Sequence, residues 1–221
     1  MLRALILLHL CALASLVPYT KIKKNHTLHD TYSRSLMLAR MIHQDVRNLL
    51  PSYEEQLGIK DSQVSNLFMK GLPSCASNYS DWHSLERERQ RTRDLYPLSS
   101  TLPSLCTQDA TRLQQDSEYL QLFDRHINVC CSSEHQLDTQ SNKLTLELQL
   151  KIRDLQVQIT QQLKLLQQPG VYMAGLSPAP LCNPESLWYG RMEGYIVLRD
   201  LEKCAQKVVR DYTLMRSQQQ Q

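Results

Sequence analysis

Only six glycines punctuate the 221 residues, well under the roughly 7% usual in proteins. Strand sandwiches, doubly wound sheets and phosphate-cradling loops all use glycine at tight turns. Their scarcity therefore predicts long helices joined by few such turns. At 42% hydrophobic and 21% charged, the chain can bury a core of about one domain. A net charge of +3 is too balanced for a dedicated nucleic-acid binder.

The apolar spacing locates the helices. Tyr32, Leu36, Ala39, His43, Val46, Leu50 and Tyr53 recur three and four residues apart and predict a core-facing stripe on a first helix over about 27–53. Pro51 marks a break in its last turn. His43 reads as a hydrogen-bonded core histidine rather than a ligand. A long connection follows, carrying Gly58, Gly71 and Pro73. The stretch 81–96 is helix-compatible, and its mixed Glu and Arg read as a solvated face rather than a nucleic-acid or heparin surface. Pro97 and Pro103 interrupt it. A second long helix is predicted over 107–130, with Leu113, Leu120, Phe123 and Ile127 on one side.

Two periods compete over 142–168. Leu144, Leu146, Leu148, Leu150 and Ile152 alternate as in a strand. Leu144, Leu148, Ile152, Leu155, Ile159, Leu163 and Leu166 form a helical stripe, and the segment holds no Gly or Pro, so helix wins. The polar stretch Ser132–Ser141 suits the turn before it. Asn183 as N-cap and Pro184 at the first helical position open a last helix over about 184–216. The expected fold is all-α: a long-chain four-helix bundle whose long first crossover permits up-up-down-down order.

The N-terminus reads as a leader. A basic start, the apolar run Ala4–Ala14 broken only by His9, and Ala12-Leu13-Ala14 predict a signal peptide over 1–14 and a secreted domain over 15–221. The run is shorter than the roughly 18 residues that a membrane span needs, so no membrane insertion is expected. Beyond Cys11, six cysteines remain: Cys75, Cys106, Cys130, Cys131, Cys182 and Cys204. In an oxidising compartment they are expected to form disulfides, with 15 pairings open. Adjacent Cys130 and Cys131 are expected to bond different partners. No C-x-x-C and no His pair beside the thiols suggests a metal. Asn25-His26-Thr27 and Asn78-Tyr79-Ser80 are glycosylation sequons.

Catalytic patterns are missing: there is no H-E-x-x-H, G-x-S-x-G, phosphate loop or G-x-G-x-x-G, and the histidines are scattered. Neither an enzyme nor a cofactor is expected. The last helix carries the unusual feature. Leu187, Gly190, Gly194, Val197, Leu198, Leu201, Ala205, Val208, Tyr212 and Met215 share its expected core face, whereas Trp188, Met192 and Tyr195 fall away from it, beside Arg191 and Arg199. Large apolar groups opposite a core mark either a surface under a loop or a partner-binding patch.

The stretch Trp188–Leu201 resembles the start of the fourth helix in interleukin-6-type long-chain helical cytokines, closest to the ciliary neurotrophic factor and cardiotrophin-like cytokine branch. Trp188 and Arg191 stand where that branch has an aromatic-x-x-Lys pair, with Trp in place of the usual Phe and Arg in place of Lys. Leu198-Arg199-Asp200-Leu201 matches its Leu-Lys/Gln-Glu-Leu segment, and Thr31-Tyr32, Leu72-Pro73 and Trp82-x-x-Leu85 are similar to further landmarks. The resemblance implies a secreted, monomeric ligand. Such a ligand assembles transmembrane receptor chains of the shared signal-transducing and leukaemia-inhibitory-factor receptor type and activates JAK–STAT signalling. It also implies a receptor site at Trp188 and Arg191, to which the patch read from spacing adds Met192 and Tyr195, and a bridge between Cys75 and Cys204. The competing expectation is a secreted helical carrier of an apolar small ligand.

Overall fold

The computed structural model describes residues 2–60, 64, 67, 72, 75, 101–131, 139–168 and 186–219, with side chains from residue 27 onward and, in the second helix, from residue 108. Four long helices and no strands occur among the described residues: α1 (Leu2–Leu57), α2 (Thr101–Cys130), α3 (Thr139–Leu165) and α4 (Leu187–Gln218). The expected 81–96 piece, Trp82, Asn78, Cys182, Asn183-Pro184 and the side chains of Asn25 and Cys106 lie outside the description. So do the side chains of the expected leader.

Cross-helix pairs give the directions. Ser35 meets Gln158 while Asp45 meets Lys151, so α1 and α3 are antiparallel. Tyr32 packs on Tyr212, His43 bonds Glu202 and Glu54 bonds Tyr195, so α1 and α4 are antiparallel too. On α2, Asp116 meets Lys207, and the Cys130 carbonyl approaches Gly194. Both α1 and α2 therefore run against α4. The packed pairs are α1–α4, α1–α3, α2–α3 and α2–α4, which is the up-up-down-down bundle.

The strand-like alternation in α3 dissolves into two helical faces. Leu148, Ile152, Leu155, Ile159 and Leu163 are buried, whereas Leu146 and Leu150 are exposed. In α1, Ile42 and Leu49 take the core positions assigned by spacing to His43 and Leu50. His43 is half-buried and hydrogen-bonds Glu202 Oε1 at 2.8 Å. The helix passes through Pro51 to Leu57 instead of breaking. Pro103 falls in the first turn of α2, where the missing N–H has no intrahelical partner to lose. The last helix begins at Leu187, after an extended N-cap residue, Ser186.

Two helices end in the same way. Gly58 has φ +64°, its N–H donates to Glu55 O, and the Ile59 N–H donates to Glu54 O. This is a Schellman cap with glycine where the left-handed conformation requires it. At the end of α3, Gln167 adopts φ 61°, with Gln167 N–H to Lys164 O and Gln168 N–H to Leu163 O. The geometry matches, but the residue has a Cβ.

The long first connection is fastened to α4 twice. Cys75 is disulfide-bonded to Cys204 across 129 residues of chain, a closure worth about 2–4 kcal/mol. The Arg199 guanidinium donates to the carbonyls of Val64 and Leu67, each at 2.7 Å, and pairs with Asp200. Cys130 is also disulfide-bonded. Cys131 departs from the expectation of full pairing. It is a buried thiol against Tyr53, and burial pushes its pKa up to about 12. At the end of α2 it packs as a small apolar group.

Between α2 and α4, two carboxylates share one ammonium. Lys207 donates to Asp116 Oδ1 and to Asp211 Oδ2, both at 2.7 Å, and lies over the Tyr119 ring. Asp116 is fully buried. Desolvation, helped by Asp211, raises its pKa from 3.8 to about 7 despite Lys207. A raised carboxylic acid contributes stability that is present below its unfolded value of 3.8 and is lost as pH rises through about 7.

Two outcomes test these features. Asp116→Asn should gain stability relative to the wild type as pH rises from about 4 to 8, by on the order of 1–3 kcal/mol. Paired thermal melts measure this, and the buried His126 titrates in both proteins and cancels. A gap that narrows with rising pH would mean that Asp116 ionises more readily folded than unfolded. Gln167→Gly should stabilise the bundle by about 0.5–1 kcal/mol in denaturant titrations by relieving the left-handed residue. A loss would show that the Gln167 side chain contributes more than its backbone costs.

Candidate functional site

The first turn of α4 is exposed. Leu187, Trp188 and Tyr189 are half-exposed, Trp188 at 46%, and the Trp188 and Tyr189 rings meet edge to face at 5.2 Å. Three consecutive large apolar groups in water stand out on a helix whose remaining apolar residues are mostly buried. Arg191 lies one turn on and is half-buried. Trp188 and Arg191, three apart, occupy adjoining parts of one surface.

The rest of the patch expected from spacing belongs to the interior. Met192 is 6% exposed and Tyr195 1%. The Tyr195 hydroxyl donates to Glu54 Oε1 on α1 at 2.9 Å. Arg199 is buried under the connection residues Val64 and Leu67. Met192, Ile196 and Arg199 follow one another at helical spacing and are all buried. The buried arc of α4 is thus wider than one stripe, because α1, α2 and the fastened connection all pack on this helix. Leu187 moves the other way, from the expected core face to the exposed patch.

Further exposed apolar residues lie on α3 and on α1. Leu146, Leu150 and Val157 are exposed on α3, with Arg153, which pairs with Asp124 of α2 at 3.1 Å, between them at helical spacing. Met37 and Met41 are exposed on α1, in line with Asp45, which is ion-paired to Lys151, the neighbour of Leu150. Reading the sequence for core stripes alone missed these five residues. The signal was present: the leucines of the 144–152 alternation that do not fit the core stripe are Leu146 and Leu150.

Among the described residues no group of three or more His, Cys, Asp or Glu is arranged to hold a metal. No helix among them is long and apolar enough to cross a membrane.

The chain matches the family model described as ciliary neurotrophic factor over residues 18–221, a span that begins beyond the apolar Ala4–Ala14 run. No curated relative and no solved structure matches it. With the family match covering nearly the whole length of an up-up-down-down bundle, the chain belongs to the ciliary neurotrophic factor family of cytokine ligands.

Proposed function

We propose that the protein is a secreted ligand that brings cell-surface cytokine receptor chains together and so activates JAK–STAT signalling. The observation that carries this reading is the exposed Leu187–Tyr189 cluster at the start of α4, in a chain of this family. Burying Trp188 in a receptor groove supplies an aromatic anchor, and Arg191 beside it orients the contact by pairing with a receptor acid or carbonyl group. Met192 and Tyr195 support the anchor from inside the bundle, and the partners are chains of the shared signal-transducing and leukaemia-inhibitory-factor receptor type.

A receptor-assembling ligand needs two faces. The exposed apolar residues of α1 and α3 lie on a different pair of helices from the start of α4. Holding two receptor chains on one rigid body raises the effective concentration of the kinases attached to them. The Ala4–Ala14 run supports export, and the disulfides suit an oxidising compartment.

Trp188→Ala should leave helix content and melting temperature close to wild type while shifting the dose for half-maximal STAT phosphorylation by about thirtyfold or more, the equivalent of a 2 kcal/mol hot spot. A Trp in a packed core gives the opposite pattern, losing roughly 3–5 kcal/mol of stability. A folded Trp188→Ala protein with wild-type potency removes the start of α4 as a receptor contact.

A further inference from the structure

The start of α4 rests on α1 and α2 through a residue without a side chain. A Cβ built on Gly194 would stand 3.2 Å from Tyr53 Cε1, 3.3 Å from the Cys130 carbonyl oxygen and 3.4 Å from Cys131 Sγ. These neighbours have little freedom to move. Tyr53 is 2% exposed and hydrogen-bonded to the Cys131 thiol, and Cys130 is fixed by its disulfide. Gly190, one turn earlier, is also buried. Just beyond, the Tyr195 hydroxyl holds Glu54. The backbone of α4 therefore meets the ends of two helices directly, and the turn that carries Trp188 lies beyond that contact.

Glycine is a poor choice for the helix itself. Inside a helix it is markedly less favourable than alanine. Its use at 194 answers a demand of position rather than of helix stability. We propose that Gly194 is a positioning residue: its missing Cβ sets how closely the first turns of α4 approach α1 and α2, and so presents Trp188 to the receptor chain. This rests on the reading of Trp188 as a receptor contact. An added methyl requires the contact to open by a few tenths of an ångström. The helix moves as a rod, and the shift passes to Trp188, about 9 Å further toward its start. Gly194 itself touches no receptor, so its effect has to run through the exposed aromatic.

A double-mutant cycle between Gly194→Ala and Trp188→Ala tests this, read by binding to the immobilised ectodomain of each proposed receptor type in turn and by thermal melting. Gly194→Ala is expected to melt within a few degrees of wild type, because the helix gain offsets the crowding. It should bind the type that Trp188→Ala weakens about fivefold or more weakly, and it should cost less than about twofold further in the Trp188→Ala background, since the two act as one unit. Wild-type affinity for Gly194→Ala beside a weakened Trp188→Ala overturns the positioning role alone. So does an additive loss in the double mutant, and so does a collapse of the melting temperature, which would make Gly194 a packing requirement of the whole bundle. Normal binding of both types by Trp188→Ala overturns the site reading and this inference with it.

Discussion

Gln162 is fully buried among three helices, and its side-chain amide can be satisfied in only one register. The amide N–H donates to Ser35 Oγ on α1 at 2.8 Å, and its carbonyl accepts the Tyr212 hydroxyl of α4 at 2.8 Å. Ser35 in turn donates to Gln158 Oε1 at 2.6 Å. Apolar stripes attract without direction and tolerate sliding by a turn. A slip here leaves a buried amide or hydroxyl without its partner, at about 1–3 kcal/mol for each. The network thus ties α1, α3 and α4 at one level. With that level fixed, Glu54 reaches Tyr195 and Tyr53 reaches Gly194.

Much of this was legible in the sequence. Leu113, Leu120, Phe123 and Ile127 are each at most 1% exposed, and the α3 stripe is buried through its middle, because a continuous apolar face has one way to hide. The length of the first connection permitted the up-up-down-down order without dictating it. Positions on the margins of a stripe were not legible. His43 and Leu50 gave way to Ile42 and Leu49, since a turn of 3.6 residues lets neighbours a residue apart compete for the same place. Met192, Tyr195 and Arg199 were misplaced for a different reason. Their burial depends on the connection and on α1, which are distant in sequence, and a helical wheel carries no information about a second layer.

The cysteines divide in the same way. Their number suggested a fully bridged chain, but Cys131 is a thiol sealed against Tyr53 by burial, inert through its raised pKa. The Cys75–Cys204 bond and the Arg199 clasp act together on one strap, five residues apart on α4. One is covalent and the other is a pair of charge-assisted hydrogen bonds to backbone carbonyls, so the connection keeps a hold on α4 when either is lost. Since α4 also carries the exposed Trp188, the helix that organises the core is the one that displays the proposed contact. A rigid display loses little conformational entropy when it binds.

In the proposed function, one folded bundle holds two receptor chains at two separate surfaces. Sedimentation equilibrium of the purified protein with both ectodomains, of the shared signal-transducing and leukaemia-inhibitory-factor receptor types, measures this directly. The predicted result is a complex with the mass of one ligand and one copy of each receptor chain. Complexes that never exceed one receptor chain per ligand, with the two ectodomains displacing each other, would contradict it.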